Sequence, residues 1–298
     1  MKLLFSSDWH LRNDKPISRI DDFQQVQKDT LIQIAKICKQ NNAELIIAGD
    51  IFDKPKDNIQ ELVNQVYEIF KDINIYFICG QHDLLFHSLD NFEKGNIGII
   101  NNFENWNHSE EIINSESIIW KFDYGKEIID IDDYDNLIKI CVWHKYCEKE
   151  QLPFYIKNGI SAKDLIDNYN YNIYICGDNH KSFIYEKDNK IVFNMGCITR
   201  QSITEKNYNP SVILFDTEKR DYEQIFLCDN NLNVFIDSVI SKEQLEREQR
   251  INSFISLVES KESISFDFIT DIKNYCLKNK VKDEIIKEID NILLEVNE

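Results

Sequence analysis

The chain has 298 residues, 43% hydrophobic and 29% charged, enough to bury a substantial core and better suited to one large domain with an appendage than to two equal ones. Its 52 acidic against 34 basic residues give a net charge of −18, which excludes a generic nucleic-acid coat and requires any nucleic acid to be held by a local basic patch or through metal ions. No apolar run approaches the roughly 20 residues that span a bilayer, the opening MKLLFSSDWH is too briefly apolar for a secretory segment, and eight cysteines without a C-x-x-C pair read as reduced core thiols of a cytoplasmic protein.

In chain order, residues 2–7 form a predicted strand and residues 21–40 a helix, with Phe23, Val26, Thr30, Leu31, Ile34 and Ile37 near helical spacing. A strand at 44–48 runs into GDIFD, a helix covers 58–71, and a strand at 73–79 runs into GQHD. Residues 110–135 read as β-rich in SIIWKF and EIIDID. A strand at 137–143 precedes His144, a helix covers 162–169, and a strand at 172–176 precedes GDNH. Residues 183–228 alternate as hairpins that turn at Asp188-Asn189 and near Glu218-Lys219. From 241 onward the pattern is helical, at 243–258, 266–277 and 281–296. The alternation predicts an α/β domain over residues 1–230, a sheet covered by helices with a second sheet beside it, and a C-terminal helical region over 241–298 that packs on the home domain or docks a partner.

Four of the six histidines, His10, His82, His144 and His180, fall just after predicted strands, and three have an aspartate within two positions. Open α/β sheets bind ligands at that end of their strands. Asp8 and His10, two apart on an extended segment, are expected on one face with Trp9 on the other, where they can share a metal ion. Asp50, behind Gly49 at a strand end, can bridge two cations about 3.5–4 Å apart. Asp178 and His180 repeat the two-residue spacing, although Asp178 also fits a turn residue. Gln81 offers an amide oxygen and His144 an imidazole.

The ordered set Asp8-x-His10, Gly49-Asp50-x-x-Asp53, Gly80-Gln81-His82-Asp83, His144 and Gly177-x-x-His180 resembles the signature of the calcineurin-like metallophosphoesterases. The resemblance implies an α/β (α+β) fold, a two-sheet β-sandwich flanked by helices, and two divalent metal ions. One ion would be held by Asp8, His10, Asp50 and His180, the other by Asp50, Gln81, His144 and Asp178. His82 would be the proton donor or charge stabiliser at the scissile phosphate, steadied by Asp83, with Asp53 behind the ligands. The family usually has Asn at the position of Gln81 and His at that of Asp178. The longer arm and extra carboxylate favour Mn²⁺, or Mg²⁺, over Zn²⁺.

Within that superfamily the chain is most similar to the SbcD class of DNA repair nucleases. The likeness rests on NMGCITR (Asn194 to Arg200, with Cys197 where the class has Ser), Pro210 before SVILFD, GQHDLLFHS, and the helical tail. It implies a metal-dependent DNA exo/endonuclease, with Arg200 near the DNA path, His87 flanking the site, an SMC/SbcC-like ATPase as partner on the tail, and a homodimer formed through the helix at 21–40 or 58–71. The blander readings make Arg200 a surface salt-bridge partner, His87 a helix-start residue and His108 a surface residue. No G-x-x-x-x-G-K-[ST] occurs, so the chain is not itself a P-loop ATPase. Two other functions compete: a phosphodiesterase or phosphatase acting on a small molecule or phosphoprotein, and a weakly catalytic scaffold subunit suggested by Gln81 and Asp178.

Overall fold

In the computed structural model, residues 1–56, 60–131, 134, 136–153, 156, 158–229 and 234–235 are described. They belong to the first of two units, Met1–Arg247 and Glu248–Glu298, and the predicted helical region at 241–298 lies outside them.

The first strand, β1 (Lys2–Ser6), is apolar on both faces because both are covered: Leu3 and Phe5 enter one core and Leu4 another. After it come α1 (Phe23–Asn41), β2 (Ala43–Ile47), α2 (Gln60–Phe70), β3 (Ile75–Phe77), a short α3 (Asn96–Ile100), β4 (Trp106–Asn107), β5 (Glu111–Ile113) and β6 (Ser117–Phe122). The chain continues with β7 (Ile138–His144), β8 (Tyr146–Glu148), β9 (Gly159–Ser161), α4 (Ala162–Asn168), β10 (Ile173–Gly177), β11 (Phe183–Lys187), β12 (Lys190–Asn194), β13 (Ser211–Asp216) and β14 (Asp221–Phe226). Helix α1 starts on Asp22, whose carboxylate accepts from the Gln25 N–H, and stops at Asn42 in the left-handed region.

Two six-stranded sheets result, ordered β14-β13-β1-β2-β3-β4 and β11-β12-β10-β7-β6-β5. In the first, β1 runs parallel to β2 (Leu4 beside Leu45) and antiparallel to β13 (Leu4 beside Leu214). In the second, β7 is parallel to both β6 and β10. Between the sheets lie Leu3, Phe5, Ile46, Ile140, Val142, Ile175, Phe193, Ile213 and Phe215. Their strand neighbours point outward: Leu4, Leu45 and Ile47 pack with Leu31, Ile34 and Val66 of α1 and α2, and Trp143 and Tyr174 pack with Leu165 of α4. The architecture is therefore mixed α/β, two sheets face to face with helices on the outer surfaces. The parallel strands β1, β2, β3, β7 and β10 carry their following loops, and with them nearly all the candidate residues, to one edge of the sandwich.

Two expectations change. EIIDID is not a strand over its described part, 127–131; its Ile128 and Ile131 are buried against the outer face of the second sheet, so its apolar residues record packing rather than pairing. His108 is not a surface residue: its ring lies between those of Phe77 and Phe92, at centroid distances of 5.3 and 4.7 Å. The hairpin turn at Asp188-Asn189 is present, both residues taking positive φ. All seven described cysteines are free thiols, six buried and Cys228 exposed. Among the described residues no helix is long and apolar enough to cross a membrane.

Candidate metal centre

Strand β1 ends at Ser6, and the residues that follow are not extended: Asp8 and His10 have φ of 48° and 43°. The two side chains meet because the backbone turns left-handed at each, not because of a strand pleat. Trp9 between them points into the core of the first sheet and is fully buried. Asp50 (φ 49°) and Asp178 (φ 81°) share this conformation, which costs a non-glycine residue about 1–3 kcal/mol and concentrates at functional sites. Backbone hydrogen bonds hold it in place, from the Asp8 N–H to Gly49 O (3.0 Å) and from the His10 N–H to Asp50 O (3.0 Å).

Asp50 is the hub. Its Oδ1 accepts from the His82 N–H (2.9 Å); its Oδ2 has no hydrogen-bond partner although it is buried, and lies 3.6 Å from His10 Nε2 and 3.3 Å from His144 Nε2. On one side, His10 Nε2 is 3.1 Å from His180 Nε2 and 4.0 Å from Asp8 Oδ1. On the other, His144 Nε2 is 2.9 Å from Gln81 Oε1, while the Gln81 amide donates to Asp178 Oδ1 at 2.7 Å. Asp178 is thus placed against Gln81 by its side chain, and its own N–H donates to Asp8 Oδ1 (3.0 Å).

The ring orientations show what the cluster is built to hold. His144 Nδ1 sits 2.7 Å from the carbonyl of Ala48, to which it donates, and this turns Nε2 toward Asp50 and Gln81. His180 Nδ1 sits 3.0 Å from Glu205 Oε1, which turns its Nε2 toward His10. The Nε2 atoms of three imidazoles, the unpartnered buried oxygens Asp8 Oδ2 and Asp50 Oδ2, and the Gln81 carbonyl converge around Asp50. These groups could hold divalent cations, and a donor set of carboxylate and amide oxygens with imidazoles suits hard or borderline ions. Burial drives the Asp8 carboxyl up to about 6 and the His10 imidazole well down. Asp50, though burial opposes its charge, is held well below the usual carboxylate range by His144, His82 and His10. The carboxylates and imidazoles compete for protons, a competition that bound cations would relieve.

Around this centre, Asp53 Oδ1 lies 3.9 Å from His10 Nδ1 and pairs with Arg12 at 3.3 Å. His82 is exposed, its Nδ1 3.0 Å from the carbonyl of Asp53. Asp83 does not touch that imidazole: it is buried with its oxygens on the N–H groups of Phe52 and Gly80, 2.9 Å each, and steadies His82 only through the backbone turn. His87, half-buried with φ 52°, flanks the site beside Tyr124, ring centroids 6.1 Å apart. Arg200 departs from the expectation outright. Its guanidinium is fully buried, paired with Asp229 at 3.0 Å and bonded to the carbonyl of Lys206, so it presents nothing to a substrate; nor is it a surface residue.

Two contributors went unnoticed in the sequence. Glu205, which orients His180, is announced by the Ser202-x-x-Glu205 capping box it forms, but nothing in that motif says which histidine it meets. Tyr124, whose ring centroid is 6.4 Å from that of His144, sits in a turn that Tyr124-Gly125 announces in the sequence, but nothing local ties its ring to a histidine.

The sequence model of the calcineurin-like phosphoesterases matches residues 1–182. No curated protein matches the chain. Among solved structures, the chain is similar to an archaeal phosphodiesterase (19% identity, 76% of this chain and 100% of that one, TM-score 0.41). It is also similar to a Thermus thermophilus protein, TT1561 (13%, 75% and 97%, 0.42), and to a putative 5′-nucleotidase from Staphylococcus aureus (10%, 84% and 58%, 0.46). The family match spans more than half of the chain, which belongs to the calcineurin-like phosphoesterase family.

Proposed function

We propose, from the chain's place among the calcineurin-like phosphoesterases, that this metal-dependent hydrolase cleaves phosphodiesters at a dinuclear centre and that its substrate is DNA. The observation that carries the dinuclear reading is the position of Asp50 Oδ2, buried and unpartnered between His10 on one side and His144 on the other. Asp8, His10, Asp50 and His180 would hold one ion, and Asp50, Gln81, His144 and Asp178 the other. Bound there, two divalent cations would supply a nucleophilic hydroxide at neutral pH and neutralise charge on the phosphate oxygens. The protein's own part is to fix the ligands on strained turns and to present the His82 imidazole, oriented by the Asp53 carbonyl, to the leaving oxygen as proton donor. Mn²⁺ is the expected metal, since Gln81 and Asp178 add oxygen donors.

DNA as substrate, with an SMC-type ATPase as partner and a homodimer as the working form, rests on the likeness of GQHDLLFHS and NMGCITR to the SbcD class. The burial of Arg200 and the net charge of −18 favour a second reading, hydrolysis of a small phosphodiester or phosphomonoester. Hydrolysis of end-labelled single- and double-stranded DNA in Mn²⁺, beside bis-p-nitrophenyl phosphate and with Asp50→Ala as blank, separates the two. Cleavage of both, absent in the variant, supports the nuclease. Cleavage of the small ester alone supports the second reading, and no cleavage of either with metal bound rejects both.

A further inference from the structure

Apart from the dinuclear centre, three metal-binding side chains of a different chemistry converge. Cys79 lies two residues past β3, His108 directly past β4, and Asp123 directly past β6 of the opposite sheet. Cys79 Sγ is 3.8 Å from His108 Nε2, which is 2.7 Å from Asp123 Oδ1, and the three ligand atoms all lie within 4.8 Å of one another.

We propose that Cys79, His108 and Asp123 form a third metal site, one that takes zinc. A nucleophilic Cys–His–Asp relay is excluded by the geometry, because such a relay uses the two ring nitrogens for different partners, whereas here the sulfur and the carboxylate both approach Nε2. Convergence of a thiolate, an imidazole and a carboxylate on one point is what a tetrahedral ion needs. Zinc–ligand bonds of about 2.0–2.3 Å set neighbouring sulfur and nitrogen atoms about 3.5 Å apart and nitrogen and oxygen about 3.4 Å apart. The observed 3.8 Å is near the first value, and the 2.7 Å hydrogen bond opens by about 0.7 Å to reach the second. The ion takes the place of the thiol proton, which is released to solvent, and of the Nε2 proton, which the imidazole carries on Nδ1 instead, leaving a thiolate and a neutral imidazole as ligands.

The surroundings suit such a role. Phe77 and Phe92 clasp the His108 ring from its two faces, which fixes the direction of Nε2. The His108 and Asp123 side chains are 23% and 13% exposed, so water reaches the fourth position. The sulfur selects zinc over the hard ions of the dinuclear centre, whose ligands include no thiol. The site also joins the two sheets where they already touch: the Cys79 N–H donates to Asp123 Oδ1 (2.7 Å) and the Tyr124 N–H to Cys79 O (2.8 Å). Cys79 is two residues ahead of Gln81, so the ion would anchor the loop that delivers Gln81 and His82.

Cobalt tests this directly, since a thiolate ligand gives Co²⁺ a near-ultraviolet charge-transfer absorption that carboxylates, amides and imidazoles do not. Titration of the metal-stripped full-length chain with Co²⁺ is expected to give that absorption, saturating at one ion per chain and bleached by Zn²⁺. It is expected to vanish in Cys79→Ser, to weaken in His108→Gln, and to persist in Cys197→Ser, whose thiol neighbours His180 and Glu205, and in Asp50→Asn. A wild-type chain saturated with Co²⁺ without this absorption overturns the proposal whether or not any variant folds. Absorption that survives in Cys79→Ser, or that is lost in Cys197→Ser alone, overturns it as well.

Discussion

His82 and Arg19 show how differently two polar side chains serve this protein. His82 is exposed, and its ring is oriented by a backbone carbonyl, so truncating it leaves the buried metal ligands in place. His82→Ala is expected to bind Mn²⁺ with wild-type stoichiometry and to lose about 10²–10⁴-fold in hydrolysis rate, measured by metal analysis beside turnover; loss of metal would make His82 a ligand instead. Arg19 is wholly buried, with Asp21 at 2.6 Å, Asp229 at 2.9 Å and the carbonyl of Arg200 at 2.7 Å. Arg19→Met is expected to cost about 1–3 kcal/mol in urea unfolding, since it takes the guanidinium from Asp21 and from the Arg200 carbonyl and leaves Asp229 to Arg200 alone. Burial opposes the charge of Asp21, but the paired hydrogen bonds from Arg19 outweigh it and hold the carboxyl below its ordinary value of 3.8. That stabilisation is complete above the ordinary value and is lost as pH falls through the lower folded one. Asp21→Asn is therefore expected to flatten the fall of the urea midpoint below about pH 4.

At the scale of elements, the centre depends on how closely the strand ends approach one another. A Cβ on Gly80 would stand 2.0 Å from Asp50 Oδ1 and 2.5 Å from Asp50 N, with no flexible side chain to give way. Gly80→Ala is expected to displace the bridging carboxylate, costing about 1–3 kcal/mol of stability and most of the metal affinity, read by calorimetric titration with Mn²⁺. Unchanged affinity would show that Asp50 is not the bridge. Most elements were legible in the residues because the apolar runs are long: β1, β2, β7, β10 and the hairpin of β11 and β12 need only two-sided or alternating burial and a turn pair. EIIDID misled because an irregular segment packed on a sheet also buries every third or fourth residue. The short β4, β8 and β9 escaped because two or three residues carry no period, whereas β5 falls in the stretch 110–135 that reads as β-rich.

For the whole molecule, metal is expected to act as a stabiliser as well as a reactant, since the ligand cluster exists only when both sheets are assembled. At a hundredfold excess over its dissociation constant an ion adds about 2.7 kcal/mol, so stripping with a chelator is expected to lower Tm, and Mn²⁺ to restore it. A Tm indifferent to both would mean that the folded chain does not hold the ion. The sequence by itself determined the order of the longer elements, the presence of a second sheet and the residue types of the centre, because apolar periodicity and Asp–His punctuation are local properties of the chain. Only the tertiary structure decided that Asp8 and His10 meet through left-handed turns, that Glu205 rather than Asp83 grips a site imidazole, that Arg200 is buried on Asp229, and that Cys79, His108 and Asp123 converge. Each of these joins residues from separate loops or depends on backbone dihedrals, and neither leaves a trace in spacing along the chain.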